Sequence, residues 1–317
     1  MKKISFIIPI YNKARYLKLV LKAIEEQIGD FDKEYILIDD GSTDDSLSLI
    51  KELTKNWSNL NIITQDNQGP SVAVNKGIFA AKSDFIKLVD GDDILISDAT
   101  ISLLNAALEN NLDIIYGKRS NYYQAGRAPA CKASDINAKI SIIKDPLKSV
   151  LQGSIRGVSS FAGTSGLIKT ELLQKTLGSN EKIFIQDFSM ALRCSFKGSI
   201  GFLDKEVAIL ADHSFKEDHL SSNIDQEAHD ALLAIYYFIL ENQDQLEDYK
   251  RYLYKRVAKI IWKIQYKKSK QDSFFSKHFL DYLLSKVSSP TIDEILIYIE
   301  SVIKEFDQGN IRLIKNQ

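Results

Sequence analysis

Cysteine is scarce in this chain: two residues in 317, Cys131 and Cys194, 63 positions apart. That spacing fits neither a disulfide framework nor a metal-binding knuckle, so a reducing compartment is expected. An excess of charge is missing as well. Forty-one Lys and Arg against 42 Asp and Glu leave a net charge of -1, which gives no general attraction to nucleic acid. Long apolar runs are also absent. The longest, "ALLAIYYFIL" at 231–240, has ten residues, far fewer than the roughly 20 that a membrane-spanning helix needs. The opening "MKKISFIIPIYNK" imitates a signal peptide, but Pro9 and the polar Tyr11-Asn12 interrupt it and no small-residue cleavage site follows. A cytoplasmic protein is expected, with peripheral contact at the inner face of the cell membrane left open. No internal repeat or low-complexity linker divides the chain.

What is present is an ordinary globular composition, 44% apolar and 26% charged, long enough for one large domain or a domain with an appendage. Over the first 115 residues two periodicities alternate. "ISFIIPI" (4–10), "EYILIDD" (34–40), "NLNIITQ" (59–65) and "DFIKLVD" (84–90) are apolar runs suited to strands covered on both faces. Between them, Leu17, Val20, Leu21, Ile24 and Ile28 fall at helical spacing, and 44–57 and the stretch through "SVAVNKGIFAAK" are helical too. Strand and helix in alternation predict a mainly parallel sheet flanked by helices, an α/β fold. From 112 to 213 the pattern is mixed, with a helix over "DFSMALRCSFKG" and a strand over "SIGFLDKEVAIL". Beyond about 220 the chain reads as helices at 225–243, 246–269, 272–287 and 291–307, with Pro290 as a helix-start signal.

Asp90, Asp92 and Asp93 crowd three carboxylates into four residues at a strand end. Two carboxylates roughly 5 Å apart repel by about 3 kcal/mol at an effective dielectric of 20, so something must offset the repulsion or water must solvate the turn. In parallel α/β sheets ligands bind beyond the carboxyl ends of the strands, so "LIDDGSTDD" and "LVDGDD" are expected to share one crevice. A calcium loop counted from Asp90 ends at Ile101 where a Glu is needed, and no G-x-G-x-x-G follows the first strand. What remains is a divalent cation on few carboxylates, completed by substrate phosphates, or a solvated acidic turn.

Taken in order, "SFIIPIYNKARYL", "YILIDDGSTDDS" and "NQGPSVAVNKGIFAAKSDFIKLVDGDD" resemble the family 2 glycosyltransferases of bacterial surface-polysaccharide type. The resemblance covers roughly residues 3 to 213 and is strongest over 3 to 98. It implies a GT-A fold over 1–220, with nucleotide-sugar binding in about 1–98 and the acceptor part in about 99–220, followed by a helical extension over 221–317. It implies an inverting hexosyl- or N-acetylhexosaminyltransferase that moves a sugar from a nucleotide donor, commonly a UDP-sugar, to a glycan or lipid-linked acceptor with Mn2+ or Mg2+.

By the same resemblance, Pro9, Tyr11 and Asp40 line the base and ribose pocket, and Asn67, Gly69, Asn75 and Lys76 lie near the donor. Asp92 or Asp93 holds the metal, Asp90 supports it or the ribose, and His213 is a further candidate ligand. Asp187 becomes the general base, although Gln186 replaces the acid expected before it. Asp187 also stands where an N-cap belongs, and helix-end electrostatics would favour its charged form. "AGTSG" (162–166) reads as an acceptor loop or a plain turn. A haloacid dehalogenase-like phosphohydrolase and a non-catalytic nucleotide-sugar-binding scaffold are the alternatives. The first places its acidic motif near the chain start, whereas here three strands precede it.

The segment 249–270 holds nine Lys or Arg and no acid. Leu253, Val257, Ile260 and Ile264 share one helical face, and Trp262 projects opposite Leu253, which predicts a solvent-facing indole among basic residues. Such a helix suits an anionic membrane surface, a homodimer contact or a solvated face.

Overall fold

Alternate residues of the first strand serve two different cores, and this fixes the sheet as the middle layer. The computed structural model describes residues 1–123, 138–153, 161–211, 223–268, 277–306 and 311–312. In β1 (Lys3–Ile10) Phe6 and Ile8 pack with Leu17, Val20 and Ile24 of α1 (Ala14–Glu25). Ile7 turns the other way, to Ile36 and Ile38 of β2 (Asp32–Asp40) and Ile78 of α3 (Pro70–Ala80). This two-sided burial is why the strand reads as an unbroken apolar run.

β1 pairs in parallel with β2 and with β4 (Phe85–Leu88), and β2 pairs in parallel with β3 (Leu60–Gln65). α2 (Ser46–Leu53) connects β2 to β3. The chain therefore runs outward from β1 to β3 and returns to β1's other side for β4. Beyond β4 come β5 (Ile94–Leu95), α4 (Ala99–Glu109), β6 (Ile114–Tyr123), β7 (Ile140–Ile143) and α5 (Pro146–Gln152). β8 (Gly166–Lys169), α6 (Thr170–Lys175), α7 (Asp187–Lys197) and β9 (Ile200–Ala211) follow. The sheet order is β3-β2-β1-β4-β8-β6-β9-β5, with β7 also on β9. β6 and β9 are parallel, while β8 lies antiparallel between β4 and β6. Because β8 runs against β4, the loop that opens it arrives where β4 ends.

The tail comprises α8 (Ile224–Asn242), α9 (Lys250–Lys268), α10 (Lys277–Leu284) and α11 (Ile292–Ile303). Thr291 and Glu294 form a reciprocal capping box that starts α11 just after Pro290. Leu232, Ile235, Leu253, Val257 and Ile299 join the same apolar cluster as Ile7, Met190 and Leu192, so the tail shares its core with the sheet's α7 face.

One expectation fails here. Trp262 does not project into solvent: Tyr282 stacks on it with ring centroids 4.7 Å apart, and Phe279 approaches at 5.7 Å. A single helical wheel has no knowledge of α10, which covers that side of α9.

Candidate active site

The end of β1, the end of β2 and the turn after β4 are stitched together by short polar contacts. Asn12, in the left-handed region at φ 53°, accepts from Thr43 N–H at 2.8 Å, and its own N–H donates to Ser42 Oγ at 3.1 Å. Gly91 abuts the Pro9 carbonyl and the Lys13 side chain. Pro9 is half-buried and Tyr11 exposed beside this junction.

Asp40 ends β2 and is buried. Its Oδ1 accepts from Gln65 Nε2 at 2.7 Å and Gln68 N–H at 2.9 Å, and its Oδ2 from Gly69 N–H at 2.9 Å. Burial raises its pKa, against which these three donors pull. A carboxylate has about four acceptor positions, so Asp40 shapes the 66–69 loop and keeps room for one more donor. Asn67 lies in that loop, its backbone N–H pressed against Gly41. Gly69 has φ 90°, a conformation that an L side chain adopts only with strain.

Asn75 is held by its surroundings. Its amide donates to the Ser179 carbonyl and Glu181 Oε1, each at 2.9 Å, and accepts from Ser179 N–H at 2.8 Å. With both ends engaged in a buried position it ties α3 to 179–181. Lys76 is exposed, and no ion pair to it occurs among the described residues. His213 lies outside the described residues.

The three clustered carboxylates have different partners. Asp92 Oδ2 accepts from Lys13 Nζ at 2.5 Å, and its carbonyl accepts from Tyr123 Oη at 2.6 Å. Asp90 Oδ2 accepts from Thr164 Oγ1 at 3.1 Å, while Asp90 N–H donates to that same hydroxyl at 3.0 Å. Burial, then repulsion from Asp92, raises the Asp90 pKa. Burial, then Asp90 and Asp92, raises that of Asp93 further. Thr164 and Arg119 act against both shifts.

Thr164 is the centre of "AGTSG". The loop lies against the acidic turn, and Lys87 fixes it from below. Lys87 is completely buried and donates Nζ to the Thr164 and Gly166 carbonyls. Burial pulls its pKa down to about 7, with Asp90 and Asp93 resisting. Gly166 is required by close approach, since a Cβ there would lie 1.9 Å from the Phe161 carbonyl oxygen.

Asp187 is the first residue of α7, preceded by Gln186 at the cap position with no side-chain cap bond. The capping role is therefore not what Asp187 does, and no hydrogen bond to its carboxylate occurs among the described residues. The side chain still meets solvent, yet the crevice strips enough hydration to push its pKa up to about 7. Asp90 adds to that rise and Arg119 opposes it. The shift is opposite to the one expected from helix-end electrostatics, because lost solvation and a like charge outweigh the dipole.

Sequence reasoning missed Lys13, Lys87, Thr164 as an Asp90 partner, and Arg119. Only Lys87 left a signal, as a lone charge inside the apolar run of β4.

The Asp90–Asp93 pair fits a hard divalent cation: the donors are all oxygen, burial raises both carboxylates with Asp92 adding repulsion to each, and phosphates could complete the shell. Among the described residues no three His, Cys, Asp or Glu side chains form a preassembled metal cage.

The family model for glycosyl transferase family 2 matches residues 5–197. Over 216 residues the chain is 27% identical to a poly(ribitol-phosphate) beta-glucosyltransferase of Bacillus spizizenii, covering 67% of this chain and 32% of that protein. It is 36% identical over 112 residues to a GalNAc(5)-diNAcBac-PP-undecaprenol beta-1,3-glucosyltransferase of Campylobacter jejuni, covering 34% of this chain and 36% of that protein. Among solved structures, S. aureus TarS 1–349 in complex with UDP-GlcNAc aligns at a TM-score of 0.63 and 17% identity, over 96% of this chain and 88% of that one. The fold is thus that of the GT-A glycosyltransferases, helical tail included. The chain belongs to glycosyl transferase family 2. It spans about a third of the length of the two relatives named.

Proposed function

We propose that this protein is an inverting glycosyltransferase that moves a sugar from a UDP-sugar to an acceptor hydroxyl in surface-glycan synthesis. Asp187 carries the reading. It is a carboxylate with no hydrogen bond of its own among the described residues, set at the start of α7 within the field of Asp90 and Arg119. A group raised to about 7 is matched to taking a proton from a sugar hydroxyl near neutral pH. One base on one face suffices for single displacement, so no covalent nucleophile is needed.

The same reading gives the other residues their roles. Pro9, Tyr11 and Asp40 line the base and ribose pocket, and the Asn67–Gly69 backbone closes it. Asp92 or Asp93 would hold the cation, with Asp90 in support. When bound, Mn2+ or Mg2+ supplies Lewis-acid stabilisation to the departing nucleoside diphosphate. Lys13 and Arg119 add positive charge around the same diphosphate. The undecaprenol and poly(ribitol-phosphate) in the relatives' names support a lipid-linked or polymeric glycan acceptor. Such an acceptor favours an enzyme working at the inner face of the cell membrane.

Calorimetry with UDP-, GDP- and dTDP-sugars, each with and without manganese, tests this. Metal-dependent binding of one nucleotide, lost in Asp92→Ala or Asp93→Ala, is expected. No binding to any of them would sink the reading, and binding without turnover that Asp187→Asn leaves unaltered would make the protein a scaffold.

A further inference from the structure

α10 and the turn after it leave one apolar face uncovered. Leu280, Leu283, Leu284 and Val287 recur at i, i+3, i+4 and i+7 and are 55%, 39%, 46% and 78% exposed. A surface helix ordinarily turns such a stripe to the core. Loose packing is not the cause, because the other side of α10 is engaged. Asp281 accepts from Tyr298 Oη of α11 at 3.0 Å, and Phe279 and Tyr282 clasp Trp262 of α9. The remaining exposed large apolar residues of the described chain are mostly scattered singly, which is ordinary for a soluble surface.

Beside the stripe runs a cationic ridge. Lys255, Lys259 and Lys263 of α9 all lie within about 100° of Trp262 around the helix, so the aromatic cluster joins ridge to stripe. Among the described residues no carboxylate pairs with any of the three. Burial lowers the Lys259 pKa, and Lys263, Arg256 and Lys255, all of its own sign, lower it further. Lys277 and Lys286 border the stripe, the latter over the Tyr282 ring at 4.9 Å.

We propose that this face docks on an anionic lipid bilayer, the four aliphatic side chains of the α10 stripe entering the headgroup boundary and the α9 lysines meeting lipid phosphates. An apolar stripe bordered by lysines is the composition that this boundary selects. A second copy of the chain is a poorer fit, because a twofold contact sets like-charged ridges against each other or against the apolar stripe. A soluble anion would use the lysines and leave the stripe uncovered. The surface depends on the tail helices alone, so it stands or falls separately from sugar transfer.

Co-sedimentation of the full chain with vesicles decides it, using phosphatidylglycerol mixed with phosphatidylcholine, and phosphatidylcholine alone. The protein should bind the anionic vesicles, more weakly as salt rises. Leu280→Asp with Leu284→Asp should lower partitioning about tenfold or more. Replacing Lys255, Lys259 and Lys263 by Gln should lower it about a hundredfold and flatten the salt dependence. Every position altered is exposed except the half-buried Lys259, and unchanged melting and donor binding certify the folding of both variants. Absence of wild-type binding to anionic vesicles overturns the proposal, as does equal binding by the aspartate variant or to neutral vesicles. A self-association in sedimentation velocity that the aspartate variant abolishes, without vesicle binding, would reassign the stripe to a dimer.

Discussion

The backbone N–H of Ile185 donates to Asp230 Oδ2 at 2.8 Å, so a carboxylate on the helical tail holds the segment that leads into Asp187. Asp230 is buried and is itself held through Oδ1 by Gln226 Nε2 at 2.9 Å and His229 Nδ1 at 3.0 Å. The tail is thereby coupled to the candidate base.

Asp230→Ala should therefore cost about 1–3 kcal/mol, the range for leaving a buried donor unpaired. Turnover should fall more than donor affinity, since the released segment carries Asp187 and not the Asp40 pocket. Thermal melting together with separate kcat and donor-Kd measurements checks this, and Asp230→Asn, which keeps an acceptor, should recover part of both.

Asp187→Asn should lower kcat by about 10²–10⁴, the usual contribution of a positioned general base, while donor binding survives. In the wild type, kcat/KM should fall as pH drops below about 7, where the carboxyl takes up a proton. Stability carries the opposite sign. A carboxyl raised in the folded state binds more protons folded than unfolded between its ordinary value and about 7, so it destabilises progressively as pH rises through that window. The Asn variant should melt higher than wild type at pH 8 and show no such advantage in acid.

Thr164→Val removes the hydroxyl that joins Asp90 Oδ2 and Asp90 N–H. Nucleotide affinity in the presence of manganese should drop about tenfold, in line with one charge-assisted hydrogen bond, and Thr164→Ser should restore it. A Ser variant as weak as Val would place the effect in packing and not in the hydroxyl.

Gly69→Ala places a Cβ at φ 90° and 3.1 Å from the Phe184 ring. A loss of about 1–2 kcal/mol is expected from the backbone conformation, visible as a lower melting temperature. Donor affinity should weaken with it, because Gly69 N–H is one of the three donors that fix Asp40.

The acidic crevice was legible because carboxylates at strand ends have few other places to go in a parallel sheet. Its supporting cations were not. Lys13 meets Asp92 across 79 positions of sequence, and Arg119 stands in a strand whose pattern carries no trace of its charge partners. Asn75 has partners that its motif does not announce: three hydrogen bonds to 179–181 tie α3 to that segment. Trp262 failed for a similar reason, since its exposure depended on a neighbouring helix and not on its own.

By itself the sequence determined the order of strands and helices over the first 90 residues and the helical character of the tail, because hydrophobic periodicity records which face of each element leaves water. It also placed "LIDDGSTDD" and "LVDGDD" at strand ends and Asp187 at a helix start. Only the tertiary structure decided which of these groups meet. Seating β8 antiparallel between β4 and β6 brings Thr164 to Asp90, and packing α8 on α7 brings Asp230 to Ile185. The pKa values belong to that level as well: burial and neighbouring charge set them, and both are properties of the assembled crevice.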